Sequence, residues 1–209
     1  MKKLFALVLV LCLLGGVAMA EATPKILIAY VSRAGENYNV GIADPNSTSA
    51  SYAGYVEKGN TEIVAENIAE LIGGDLYQIT TVEPYPDDYA TMLSRAQEEL
   101  DSNARPKLAG DLPNLDDYDV IMIGYPIWHG AVPRPILSFL ESYDFSGKTL
   151  VPFNTHEGSG QSGTVREIES SAQNAEMLEG IAIQGKVAQE DTEQTRKLLS
   201  DWLERIGLN

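Results

Sequence analysis

The stretch Lys25-Ile26-Leu27-Ile28-Ala29-Tyr30-Val31, followed by the turn Ser32-Arg33-Ala34-Gly35 and, further on, by the helix opening Gly59-Asn60-Thr61, decides the fold. Ile26 to Val31 is apolar without alternation, the pattern of a strand buried on both faces of a parallel sheet. Ser32, Gly35, Asn60 and Thr61 then gather hydroxyl, amide and bare-backbone groups where that strand ends and a helix begins. Unpaired N–H groups and the positive end of a helix dipole favour an anion there, so the segment reads as a phosphate cradle. Taken alone, it also fits an ordinary strand-to-helix turn with Thr61 as the N-cap.

Upstream, Lys2-Lys3, the apolar run Leu4 to Leu14, Gly15-Gly16 and the small-x-small triplet Ala18-Met19-Ala20 form a secretory signal peptide, with removal expected near Ala20. The apolar run is shorter than the roughly 20 residues of a membrane-spanning helix. Cys12, the only cysteine, leaves with it, which excludes disulfides and thiolate metal sites from the mature chain. Loss of Lys2 and Lys3 leaves 13 basic against 30 acidic residues, a net charge of −17. Such a surface repels nucleic acid and anionic lipid, so no nucleic-acid partner and no stable membrane anchor are expected. Residues 21–209 suit one domain.

Downstream, helical and strand patterns alternate. Residues 36–58, rich in Gly, Asn, Ser, Tyr and Asp, read as a long loop inserted between the first strand and first helix. The spacing of Ile63, Val64, Ile68, Leu71 and Ile72 predicts a helix closed by Gly73-Gly74. Leu76 to Ile79, Val120 to Gly124, Leu150 to Asn154 and Ile181 to Ile183 read as strands. Helices are expected from about Asp88 to Ser102, through Ile136 to Leu140, from about Thr164, and over Thr192 to Ile206. This succession predicts an α/β, doubly wound parallel sheet whose ligands bind at the carboxyl ends of its strands. Three loops of unusual composition follow buried strands and are expected to share one rim: Ser32 to Gly35, Tyr125 to Gly130, and Thr155 to Gly163.

The first loop offers uncharged donors for a phosphate monoester. Neither a G-x-x-x-x-G-K-[ST] loop nor a G-x-G-x-x-G after the first strand is present, which counts against nucleoside triphosphates and dinucleotides. Trp128, in Tyr125-Pro126-Ile127-Trp128-His129-Gly130, supplies either a stacking surface for a planar ligand or a cap on the core. The glycines of Thr155-His156-Glu157-Gly158-Ser159-Gly160 let backbone approach a ligand closely, or simply make a connector. Together the three loops fit a flat heterocycle with a phosphate tail, the shape of flavin mononucleotide (FMN).

These segments, with Gly59 to Ala65, Glu83-Pro84-Tyr85-Pro86 and Leu115 to Asp119, resemble the flavodoxin family, and most closely a bacterial branch whose phosphate loop is split. The resemblance implies a flavodoxin-like five-stranded parallel sheet of order 2-1-3-4-5 and noncovalent FMN. It implies Ser32, Asn60 and Thr61 facing the phosphate, with Arg33 and Gly35 in the same loop. Pro126, Ile127, Trp128 and His129 would line the ring on one side, and Thr155, Glu157, Gly158 and Gly160 would approach it from the other, with Gly130 and His156 as further cofactor-binding candidates in the same loops. The implied function is that of an electron carrier or a small FMN-dependent reductase working with redox donor and acceptor proteins or quinone-like small molecules. Most of the family works in the cytoplasm, and it is the leader that is expected to put this chain outside it. Two other readings are a non-catalytic flavin-binding module and a secreted α/β hydrolase. The hydrolase would use Ser159 or Ser162 with His129 or His156, but no serine lies in G-x-S-x-G.

Overall fold

The computed structural model describes residues 23–36 and 55–209. The expected signal peptide with its cleavage near Ala20, and most of the inserted loop 36–58, lie outside the described residues.

Strand β1 (Ile26–Tyr30) is followed by a short antiparallel ribbon, β2 (Gly35–Glu36) against β3 (Tyr55–Val56), which brings the two ends of the insertion together. Helix α1 (Asn60–Ile72) leads to β4 (Asp75–Gln78), α2 (Tyr89–Asp101) to β5 (Val120–Pro126), and α3 (Arg134–Leu140) to β6 (Thr149–His156). Helix α4 (Thr164–Ser171), two short strands β7 (Glu176–Met177) and β8 (Ile181–Gln184), and helices α5 (Gly185–Glu190) and α6 (Thr192–Ile206) complete the chain. All pairings in the main sheet are parallel, in the order β4-β1-β5-β6, with β7 and β8 both on β6. Counting β7 and β8 as one interrupted edge position, this is the flavodoxin-like order 2-1-3-4-5.

Alternate residues of the central strands feed opposite cores. Leu27, Ala29, Ile121, Ile123 and Tyr125 pack with Met92 of α2, Phe139 of α3 and Ile168 of α4. Ile26, Ile28, Tyr30, Val120, Met122 and Phe153 pack with Ile68 of α1 and Leu199 and Trp202 of α6. With helices on both faces, the strands need no polar side, hence their continuous apolar runs.

The edge strand breaks because of Pro152. Lys148 and Leu150 accept hydrogen bonds from Glu176 and Leu178 along this edge (2.9 and 3.0 Å), and the next position on that side is Pro152, which has no N–H to return. The pairing resumes one residue out of step, at Phe153 with Ile181. Gly180 sits at the break, where a Cβ would lie 2.7 Å from the Pro152 carbonyl oxygen.

Register aligns the strand ends that matter. Tyr30 pairs with Gly124, Gly124 with Phe153, and Pro126 with Thr155, so the segments after β1, β5 and β6 emerge together.

Candidate functional site

The loop after β1 and the start of α1 form one unit. The N-cap of α1 is Gly59, not Thr61, and Gly59 provides no side-chain cap. Ser32 takes over that role from outside the helix, its Oγ accepting the Glu62 N–H at 3.0 Å. The exchange requires glycine at 59, because a Cβ there would lie 2.3 Å from Ser32 Oγ and 2.5 Å from the Arg33 carbonyl oxygen. With the third N–H of the helix capped, those of Asn60 and Thr61 project from its end with the dipole behind them.

Thr61 is buried, and its hydroxyl meets that of Thr155 at 2.8 Å across the gap to β6. Of two hydroxyls so paired, one donates to the other and the second keeps its proton for a further acceptor. Asn60 is fixed in orientation: its Oδ1 accepts from Gln189 Nε2 of α5 at 2.8 Å, so its Nδ2 faces Glu157 Oε1 at 3.4 Å. Arg33 bends away from the cradle, with Nε donating to the Pro86 carbonyl at 3.1 Å and Nη2 to that of Asp87.

The loop after β5 is held at both ends. Ile127 N–H donates to the Thr155 carbonyl at 2.9 Å, and Trp128 and Ala131 exchange backbone hydrogen bonds around His129 (φ 49°) and Gly130 (φ 73°). Two successive positive φ values define a type I′ turn, which explains Gly130 and turns His129 outward. His129 Nε2 reaches the Leu93 carbonyl at 2.9 Å and ties the turn to α2. The Trp128 indole is 9% exposed and meets the Tyr85 ring edge-on, 4.9 Å between centroids. Arg95 lies 4.1 Å over the other ring, Tyr85, whose hydroxyl donates to Glu99.

After β6, His156 Nδ1 accepts the Gly158 N–H at 2.9 Å, which puts the proton of the neutral ring on Nε2. Burial lowers the His156 pKa and favours that neutral form. Asn154 Nδ2 donates to the Gly160 carbonyl at 3.0 Å and closes the turn.

These segments enclose an open cleft of about 210 Å³. That is below the roughly 300–1,000 Å³ of a pocket enclosing a ligand, so a flat ligand here keeps an edge in solvent. Of the residues expected from sequence, Ser32, Arg33, Asn60, Thr61, Pro126, Ile127, Trp128, Gly130, Thr155, His156 and Glu157 line it. Gly35 instead packs beside Asp87 at the start of the ribbon, His129 faces α2, and Gly158 and Gly160 shape the third turn from behind. Tyr89, Met92 and Ser159 also line the cleft. Tyr89 and Met92 sit in the first turn of α2, where helical periodicity alone marks them as core. Among the described residues, neither histidine is hydrogen-bonded to a serine, so the nucleophile-base pair of the hydrolase reading is not assembled.

A wound parallel sheet with a polar cradle, an aromatic wall and a glycine turn meeting where the strand order reverses defines an α/β protein with its ligand cleft at the sheet's topological switch point. The sequence model of the flavodoxin family matches residues 49–206, and the chain belongs to that family. It is similar in structure to a candidate flavoprotein from Bacteroides eggerthii, with 29% identity over 89% of this chain and 99% of that one, at a TM-score of 0.66. A second, from Bacteroides uniformis, shows 28% identity over 86% and 99% of the respective chains, with a TM-score of 0.63. A flavoprotein from Lactobacillus acidophilus, solved in complex with FMN, shares the fold at 20% identity over 86% and 98% of the two chains, with a TM-score of 0.57. No curated protein matches the chain.

Proposed function

We propose that the protein holds FMN noncovalently in this cleft and works as a redox protein outside the cytoplasm, passing electrons between donor and acceptor proteins or to quinone-like small molecules. The observation that carries the reading is the convergence of the α1 cradle, the Trp128 turn and the His156 to Gly160 turn on one cleft. The residues fit the group. Ser32 and Gly59 shape the cradle, Asn60 and Thr61 would offer helix N–H groups and the Thr61–Thr155 hydroxyl pair to a phosphate, and Ile127 and Trp128, which line the same cleft, would border the ring.

The cofactor supplies the electron chemistry, and the chain supplies binding and electrostatics. Buried Trp128 and partly buried Ile127 limit water on one side, while the open edge leaves a contact route for an acceptor. The acidic chain, with 30 Asp and Glu, disfavours additional negative charge in the cleft. His156, neutral and carrying its proton on Nε2, is a hydrogen-bond donor at the cleft wall. The leader-like residues 1–20 support export. No helix among the described residues is long and apolar enough to cross a membrane.

The test is the colour of the mature protein. Yellow protein that releases FMN on denaturation supports the reading, and colourless protein that takes up no added FMN overturns it. Turnover of a quinone with NAD(P)H by the loaded protein would favour a reductase over a carrier.

A further inference from the structure

The cradle contains an acid, Glu157, that no cation among the described residues pairs with. Glu157 lines the cleft, with Oε1 against Asn60 Nδ2 and Oε2 buried without a hydrogen-bond partner among the described residues. The contact is clamped from behind: a Cβ on Gly185 would lie 2.1 Å from both Asn60 Nδ2 and Glu157 Oε1, so the first residue of α5 must be bare. Gln189 of the same helix holds Asn60 and also donates to the Lys58 carbonyl at 2.8 Å. The carboxyl group therefore meets α1 at the very residue whose N–H opens the helix.

Basic groups near it are engaged elsewhere. Arg33, the one Arg or Lys among the described cleft-lining residues, is bonded to the Pro86 and Asp87 carbonyls. Before α1, Lys58 pairs with Glu66; on α5, Lys186 pairs with Glu190. Glu62 in the first turn of α1 adds negative charge, and the neighbouring His156 is biased to its neutral form. Burial is accordingly the sole cause that raises the Glu157 pKa, to about 7. An ionised Glu157 and a phosphate would compete for the same short row of donors, with repulsion strengthened by burial.

We propose that Glu157 is a specificity-determining residue: it must carry a proton while a phosphate-bearing ligand occupies the α1 cradle, so that such a ligand is taken up together with a proton. The inference rests on the FMN reading. In the coupled step, solvent supplies the proton, one O–H bond forms on the Glu157 carboxylate, and the ligand enters unchanged. Riboflavin, which lacks the phosphate, takes up no proton.

Binding of FMN and of riboflavin to the mature protein, measured from pH 7 to 9, separates the possibilities. This range lies above the second ionisation of a phosphate monoester, near pH 6. FMN affinity should fall by up to tenfold per pH unit, and riboflavin affinity should stay level. Calorimetry at pH 8 in two buffers of different ionisation enthalpy should report uptake of close to one proton with FMN and none with riboflavin. Glu157→Gln should flatten the FMN profile and bind FMN more tightly than the parent at pH 8. A level FMN profile in the parent protein, with FMN bound, overturns this inference alone. A slope that survives in Glu157→Gln also overturns it, because the proton then sits on the phosphate. Failure to bind either flavin at any pH removes the FMN reading as well.

Discussion

The two walls of the cleft are built by different forces. The cradle wall is a set of discrete hydrogen bonds between residues far apart in sequence: Ser32 to Glu62, Thr61 to Thr155, Asn60 to Glu157 and Gln189. The opposite wall is packed, with Trp128 against Tyr85 and Tyr85 beneath Arg95. A hydrogen-bonded wall fails one bond at a time, whereas a packed wall fails when its largest piece is removed.

The sharpest break in that comparison is Trp128→Ala. Removing a buried indole from the core costs about 3–5 kcal/mol, a large fraction of the stability of a domain this size. Urea unfolding of the flavin-free protein should show a strongly lowered midpoint, while Trp128→Phe, which keeps an edge-on partner for Tyr85, should recover much of it. Near-parental stability of the alanine variant would mean that the indole only borders the cleft.

The cradle should respond less, and in a way that packing cannot imitate. Thr61→Val strands the buried Thr155 hydroxyl and should cost about 1–3 kcal/mol. Adding Thr155→Val removes the stranded group as well, so the double variant should be more stable than the sum of the two single losses predicts. Strict additivity would show that the 2.8 Å contact carries no coupling.

The difference between the walls also decides what was legible in sequence. Continuous apolar runs revealed β1, β5 and β6, because burial on both faces leaves its mark residue by residue. Loop composition picked out the three cleft segments for the same local reason. What stayed hidden depends on residues distant in the chain. Thr61 fits an N-cap by local rules, yet Gly59 holds that place because Ser32, 30 residues before Glu62, supplies the oxygen. The interrupted edge strand follows from Pro152 meeting Gly180, and α5, six residues long and opening on glycine, has no periodicity to detect. Tyr85 reads as part of a proline turn, and only the fold puts it behind Trp128.

Acid-base behaviour separates the walls next, because Glu157 and His156 belong to the cleft and neither belongs to the packed side. The Glu157 pKa is raised from 4.5 to about 7 by burial, so the folded state binds more protons than the unfolded state between those values. Stability from this group is full below about pH 4.5, declines as pH rises to about 7, and is level above. The change should be on the order of 1–2 kcal/mol, less than the whole shift because the side chain is partly solvated. The lowered pKa of His156 acts with the opposite sign, its contribution being lost as pH falls below 6.5. Denaturant midpoints from pH 4.5 to 8 should therefore fall less steeply in the parent than in His156→Asn, and Glu157→Gln should make the decline shallower, leaving the smaller part due to Glu62, whose pKa burial also raises. An unchanged decline in Glu157→Gln would assign it to another group.

The smallest effect tests whether the cradle is folded before any ligand arrives. Ser32→Ala deletes the oxygen that accepts the Glu62 N–H, the bond normally supplied by a helix's own N-cap. Loss of such a cap costs about 1 kcal/mol, and here the N–H is only part-buried, so water can replace the missing oxygen. The parent and Ser32→Ala should differ by that amount in flavin-free unfolding, with hydrogen exchange accelerated at the first turn of α1 and unaltered around Trp128. If the flavin-free proteins are equally stable and differ only once FMN is added, Ser32 acts on the ligand alone, and the cradle is assembled by the phosphate rather than for it.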